Sequence, residues 1–216
     1  MAAEPMPELK QSRDKKPSVR ATTPARRASI LKAALDCFIG QGVEATTIDD
    51  IVRASGSSIG SLYHHFGNKE GVAAGLFIDG IQRLNADLLR KLKRCKSAEE
   101  SVRTVVTQYS DWVTAHRDIA RYLLNSRDIA FPPETKDQLR EIHRGHITEV
   151  FRWFGPYVRD GQMKSLPIDT YVPIISGPIQ DYTRYWLAGQ VKESPAKVKA
   201  VFAEAAWNAV RGSSAR

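Results

Sequence analysis

A short stretch in the first third of the chain combines small and hydrogen-bonding residues in an order that suits contact with another molecule. Ser57, Ser58, Gly60 and Ser61 come first, followed by Tyr63, His64 and Lys69. Small side chains narrow the front of a helix and let it come close to a partner. A glycine inside a helix costs about 1 kcal/mol relative to alanine, so Gly60 suggests a close approach. The chemistry this arrangement suits is recognition of a nucleic acid in a groove. Tyr63, His64 and Lys69 are placed to meet phosphate oxygens, contacts that set register rather than read sequence. Thr47 and Asn68 each precede a helix whose first N–H groups can also hold phosphate. The competing reading is an ordinary helical hairpin whose small residues only permit tight internal packing.

Other chemistry-bearing patterns carry less. Gly56-Ser57-Ser58-Ile59-Gly60 matches the Gly-x-Ser-x-Gly spacing of a nucleophile elbow, but that elbow needs a strand before the serine, and here a helix precedes it. His143 and His146 lie three apart on one helix, without a nearby Cys, Asp or Glu cluster, so they read as solvated or pocket-lining rather than metal-binding. His64 and His65 are adjacent and diverge on a helix. Cys37 and Cys95 form no Cys-x-x-Cys pair, and Cys37, among Leu35, Phe38 and Ile39, is expected to be a buried thiol. No catalytic residue, metal site or cofactor is expected.

These residues depend on helices that the sequence marks clearly. Thr23-Pro24 opens a first helix with Ile30, Leu31, Ala34, Leu35, Phe38 and Ile39 at helical spacing, closed by Gly40-Gln41-Gly42. Thr47 with Asp50 forms a capping-box variant that opens a second helix. Ser55-Gly56-Ser57 ends it, and a short third helix over Ser58–His65 carries Ile59, Leu62 and Phe66 on one face. Asn68 caps a longer fourth helix striped by Leu76, Phe77, Ile81, Leu84, Leu88 and Leu92. Ser97 and Glu100 open a fifth, reaching about His116, and a short helix follows through Leu124. Pro132-Pro133-Glu134 opens one reaching Val158; Pro167-Ile168-Asp169 opens one reaching Leu187, kinked at Gly177-Pro178; Ser194-Pro195 opens the last. No segment alternates like a strand, so the chain reads as all-α.

The 216 residues carry a net charge of +8, which favours a polyanionic partner. Lys10, Arg13, Lys15, Lys16, Arg20, Arg26 and Arg27 precede or open the first helix, and residues 1–23 read as a mobile basic arm. No apolar run approaches the roughly 18–20 residues of a membrane span, and no secretory signal is evident. A cytoplasmic location is expected.

The run from Thr46 to Glu70 resembles the signature of the TetR family of regulators. The residues that carry it are Thr46-Thr47-Ile48-Asp49-Asp50-Ile51-Val52-Arg53-Ala54-Ser55-Gly56-Ser57-Ser58-Ile59-Gly60-Ser61-Leu62-Tyr63-His64-His65-Phe66-Gly67-Asn68-Lys69-Glu70. The close resemblance spans about residues 24–84; beyond it only helical layout and length agree. The resemblance implies that Thr47 caps its helix and touches a phosphate. It turns Ser57, Ser58 and Ser61 toward base edges or nearby backbone, and has Tyr63, His64 and Lys69 meet phosphates. It implies a homodimer formed through the last two helices, about 168–188 and 195–211, and a small-molecule effector held in the C-terminal helices. One departure is plain: the reading helix has no Arg or Gln, so bidentate base contacts are scarce and specificity leans on DNA shape, water or the arm.

The expected organisation is therefore an arm (1–23), a helix-turn-helix DNA-binding domain (24–84) and a helical effector-binding and dimerisation domain (85–216). The expected function is sequence-specific regulation of transcription at a pseudo-palindromic operator, as a repressor released by an effector. Among the aromatics, most belong to the core, but Tyr109, Trp112, Tyr122, Trp153, Tyr182 and Trp186 are candidates to line the effector site, with Arg121, Arg127 or His116 to meet an anionic effector. Rival readings are an activating or ligand-independent regulator, a helical enzyme or metabolite carrier with a vestigial reader, and a nonspecific architectural DNA binder.

Overall fold

A computed structural model describes residues 23–126, 131 and 133–213. The arm over residues 1–22 and Arg127 lie outside the described residues. Among the described residues the chain is helical, with α1 Thr23–Gln41, α2 Ile48–Ser55, α3 Ile59–Phe66, α4 Lys69–Leu92, α5 Ala98–Ala115, α6 Arg117–Asn125, α7 Pro133–Arg159, α8 Tyr171–Leu187 and α9 Pro195–Val210. A 3-10 turn, Ile168–Thr170, precedes α8, so the helix expected to open at Pro167 begins one turn later. α8 runs on through Pro178.

Local chemistry sets most of the starts. Thr47 Oγ1 accepts from Asp50 N at 3.2 Å while the Asp50 carboxylate accepts from Thr47 N at 3.0 Å, closing a reciprocal box at the start of α2. Ser58 caps α3 and Asn68 caps α4, the latter at 2.7 Å to Gly71 N. At α5 the Ser97–Glu100 pair does not close a reciprocal box. Ser97 accepts from Glu100 N, but the Glu100 carboxylate takes Lys96 N at 2.7 Å instead of Ser97 N.

Three apolar clusters share α4. The first packs Ile30, Leu31, Phe38, Ile51, Leu62, Val72 and Leu76 from α1–α4. The second joins the lower part of α4 to α5, α7, α8 and α9 through Leu92, Val102, Val106, Phe154, Ile179, Trp207 and Val210. The third, between them, holds Trp112, Val113, Ala120 and Leu123. α4 has 24 residues, about 36 Å of helix, and continues unbroken past residue 84 to Leu92. It is the rigid link between the N-terminal unit and the rest. Cys37, expected to be buried, is only half-buried, because its side of α1 is not fully covered; burial is still the main effect raising its thiol pKa.

Candidate nucleic-acid interface and C-terminal cavity

α2 and α3 have eight residues each and form a helix-turn-helix. The turn depends on Gly56, which sits at φ 64°, a left-handed conformation that glycine adopts without steric cost. Leu62 is fully buried and anchors α3 against α1 and α2. Two glycines of α4 seat α3 on it. A Cβ on Gly71 would lie 1.8 Å from the Phe66 carbonyl oxygen, and one on Gly75 would lie 2.9 Å from the Phe66 ring. The Arg27 guanidinium sits 5.4 Å over that same ring.

The other side of α3 is open. Ser58, Gly60, Tyr63 and His64 are exposed, and Ser57 and Ser61 are partly so. A Cβ on Gly60 would meet nothing within 4 Å. Gly60 is thus not explained by packing within the described chain, unlike Gly71 and Gly75, whereas Ser58 serves as the cap of α3. Ile59, expected to share the buried face with Leu62 and Phe66, is 48% exposed. It is the first residue of α3, a turn ahead of Leu62, and projects past the cluster that Leu62 enters.

Thr23 and Arg26 of α1 join Ser58, Ser61, His64 and His65 around a polar hollow of about 330 Å³. Sequence reasoning assigned Arg26 only to the general basic charge near the arm. Its place at the start of α1, beside the front of α3, was the signal that it shares the site. Lys69 lies at the same end of the molecule, with Nζ donating to the Glu44 carbonyl at 2.8 Å and tying the α1–α2 loop to α4. Thr47 is less free than expected. Its N–H and its hydroxyl both donate to Asp50, at 3.0 and 2.7 Å, so a phosphate must displace one of these bonds. Those two bonds from Thr47 are the main reason the Asp50 carboxyl titrates below its ordinary value.

A second site lies in the C-terminal part. α4, α5, α6, α7 and α8 enclose a cavity of about 490 Å³, with Tyr109 and Trp112 on its wall. The other four candidate aromatics do not line it. Tyr122 packs into the first cluster, its ring 5.8 Å from Phe38 and its hydroxyl donating to the Ala73 carbonyl at 2.8 Å. The Trp153 indole N–H reaches Ser101 Oγ at 2.9 Å between α5 and α7. Tyr182 donates to the Glu193 carbonyl at 2.9 Å and packs on Phe202. Trp186 lies 4.8 Å beneath the Arg117 guanidinium. Each has found a polar or cationic partner elsewhere, which turns its ring away from the cavity. Arg121 and His116 are not on the wall either. Sequence reasoning missed Asn85, Gln108 and Gln180, which do line it; His143 and His146 line it as well.

α6 touches both sites. Ala120, Leu123 and Leu124 face the cavity, while Ile119 and Tyr122 pack against the helix-turn-helix unit. No described helix is long and apolar enough to cross a membrane.

Residues 30–76 match the family model described as bacterial regulatory proteins, tetR family. The HTH-type transcriptional repressor KstR2 of Rhodococcus jostii is 27% identical over 147 residues, covering 65% of this chain and 69% of that one. The fatty acid degradation regulator FadR of Bacillus halodurans aligns in structure with a TM-score of 0.72 at 17% identity, covering 85% of this chain and 99% of that one. The ketosteroid transcriptional regulator KstR2 of Mycobacterium tuberculosis aligns with a TM-score of 0.66 at 18% identity, covering 90% and 97%. At those identities the structural likeness speaks for the fold.

Proposed function

We propose that this chain, whose residues 30–76 match the model of the TetR family of bacterial regulatory proteins, is a DNA-binding regulator of transcription of that family: a homodimeric repressor, released from a pseudo-palindromic operator when a small molecule fills the C-terminal cavity. The observation that carries the DNA side is the open front of α3. Ser58 and Gly60 face solvent and Ser61 is partly exposed, and no neighbour in the described chain accounts for the missing side chain of Gly60.

In this reading α3 enters the major groove. Ser57, Ser58 and Ser61 face base edges, and the exposed Ile59 is suited to a thymine methyl group. Tyr63, His64, Lys69 and Arg26 hold phosphates on either side, and Thr47 adds a contact at the start of α2. The arm over residues 1–23 supplies further charge, the reading unit runs over 24–84, and residues 85–216 bind effector and partner subunit. The dimer forms through α8 and α9, which leave Tyr185 and Val201 48% and 71% exposed in the single chain. The two α3 helices then sit about 34–36 Å apart, one turn of DNA.

α6 supports the coupling. It lines the cavity on one side and packs into the reading unit on the other, so an effector that shifts α6 disturbs the spacing of the two reading helices. The effector weakens DNA binding by its differential affinity for the two arrangements.

Selecting random duplexes with the purified protein at near-physiological salt tests this reading. A pseudo-palindrome is expected. Recovery of no motif, with binding that vanishes as salt rises, would show nonspecific charge attraction instead.

A further inference from the structure

The cavity wall is unusual in what it omits. Among the described residues lining it there is no Asp, Glu, Lys or Arg. Its polar groups are neutral: Asn85, Gln108, Ser176, Gln180 and two histidines, set among leucine, isoleucine, valine and aromatic side chains. Gln108 is itself engaged, its Nε2 donating to Asp87 at 2.9 Å.

His146 is different. Its Nδ1 is buried and has no hydrogen-bond partner among the described residues. Leaving such an atom unpaired costs about 1–3 kcal/mol. Burial is the main effect lowering the His146 pKa, with His143 acting in the same direction against Glu149, so the ring is neutral at pH 7 and offers no counter-charge. An ionised group brought into this wall would lose its hydration and gain no ion pair, a penalty of several kcal/mol. At about 490 Å³ the space is of the size that holds drug-sized ligands.

We infer that the cavity takes an uncharged, mainly apolar small molecule whose hydrogen-bond donor, a hydroxyl or N–H, is received by the neutral His146 imidazole when its ring turns toward the cavity. The inference rests on the reading of this cavity as the effector site, and it narrows the effector's class. Any ionised part of the natural effector stays outside the wall. Arg121 and His116, expected to meet an anionic effector, are not on the described wall; Arg127 lies outside the described residues.

Two fluorescent probes with the same skeleton test this on the full chain. N-phenylnaphthylamine is neutral with one N–H; anilinonaphthalene sulfonate adds a sulfonate. The neutral probe is expected to bind once per chain, at least tenfold more tightly than the sulfonate. The sulfonate is scored by displacement of the neutral probe, so that molecules held on the basic surface are not counted. His146→Phe keeps a ring and removes the acceptor, and is expected to weaken the neutral probe about fivefold. His146→Gln restores an acceptor and is expected to bind like the parent.

Equal affinity for the two probes, or no binding of the neutral one, overturns the ligand class. An unchanged affinity in His146→Phe, or a loss in His146→Gln as large as in a folded His146→Phe, overturns the role of His146. Operator affinity measured with the neutral probe bound reads the other question. If the probe binds as expected and operator affinity does not change, the effector reading fails while the inferred ligand class stands.

Discussion

Replacing Gly60 with alanine separates the two explanations for the small residues at the front of α3. The new methyl group meets nothing within 4 Å inside the protein, and Gly60 lies in an ordinary helical conformation, without the positive φ of Gly56. Alanine is the better helix former by about 1 kcal/mol in a helix interior, and Gly→Ala at a compatible position raises stability by roughly 0.4–1 kcal/mol. Gly60 is the second residue of α3, where the propensity difference is only partly felt, so the lower half of that range applies. Urea unfolding should therefore show the variant slightly more stable than the parent. The same methyl group should obstruct the approach to DNA. If it is forced into a close-packed interface, the cost is about 1–3 kcal/mol per reading helix, or 5- to 150-fold in affinity. Titration of a selected operator at fixed salt measures this directly. Higher stability with weaker operator binding is the expected pair. A Gly60→Ala protein that is destabilised would mean that Gly60 serves packing within the protein. One that binds its operator as well as the parent would mean that α3 does not come close to the bases at this residue.

Gly71→Ala should behave in the opposite way, because its Cβ would lie 1.8 Å from a backbone oxygen that cannot swing aside; the α3–α4 turn must move, lowering stability in a urea melt by about 1–3 kcal/mol or more. Lys69→Ala should weaken binding to all DNA sequences alike and reduce the slope of log affinity against log salt by about one per subunit, or about two for the dimer; a loss confined to one base position would contradict the phosphate role. Tyr122 is buried and its phenol is pushed up to about 12, chiefly by burial, so it stays protonated and donates to the Ala73 carbonyl at all ordinary pH. Tyr122→Phe should cost about 1–2 kcal/mol and Tyr122→Ala about 3–5 kcal/mol; equal losses would mean that the ring's packing on Phe38 is unimportant. Asp50 has a folded pKa below its ordinary 3.8, so its contribution is fully present above that value and is lost as pH falls through the folded pKa. Asp50→Asn should flatten the acid limb of the stability–pH curve below about pH 4 and leave the curve's shape near neutrality unchanged.

The helix starts were legible because they depend on neighbours a few residues apart. Thr47 and Asp50, and Asn68 and Gly71, are each separated by three residues, and each pair bonds as the sequence suggests; Ser58, read as the first residue of α3, is instead its cap and bonds Ser61 N. The Gly56 turn follows from one residue's steric freedom. Ser58, Gly60, Tyr63 and His64 followed because a short amphipathic helix with Leu62 buried has only one other side to expose. Ile59 did not follow, because helical spacing shows which residues share a face but not how far along the helix the neighbouring elements reach.

The cavity lay beyond that local logic. Its wall draws on five helices, from Phe77 to Gln180. Tyr122, Trp153, Tyr182 and Trp186 were reasonable candidates as amphipathic aromatics, yet Tyr122 pairs with Ala73, 49 residues away, and Trp153 with Ser101, 52 residues away. A sequence pattern identifies an apolar face but not which of several apolar neighbours it meets. The sequence by itself determined the helices, most of their caps and the exposed face of α3, since these rest on interactions within a turn or two of chain. Only the tertiary structure decided which side chains surround the cavity and that none of those described carries a charge, because that depends on how separate helices cross.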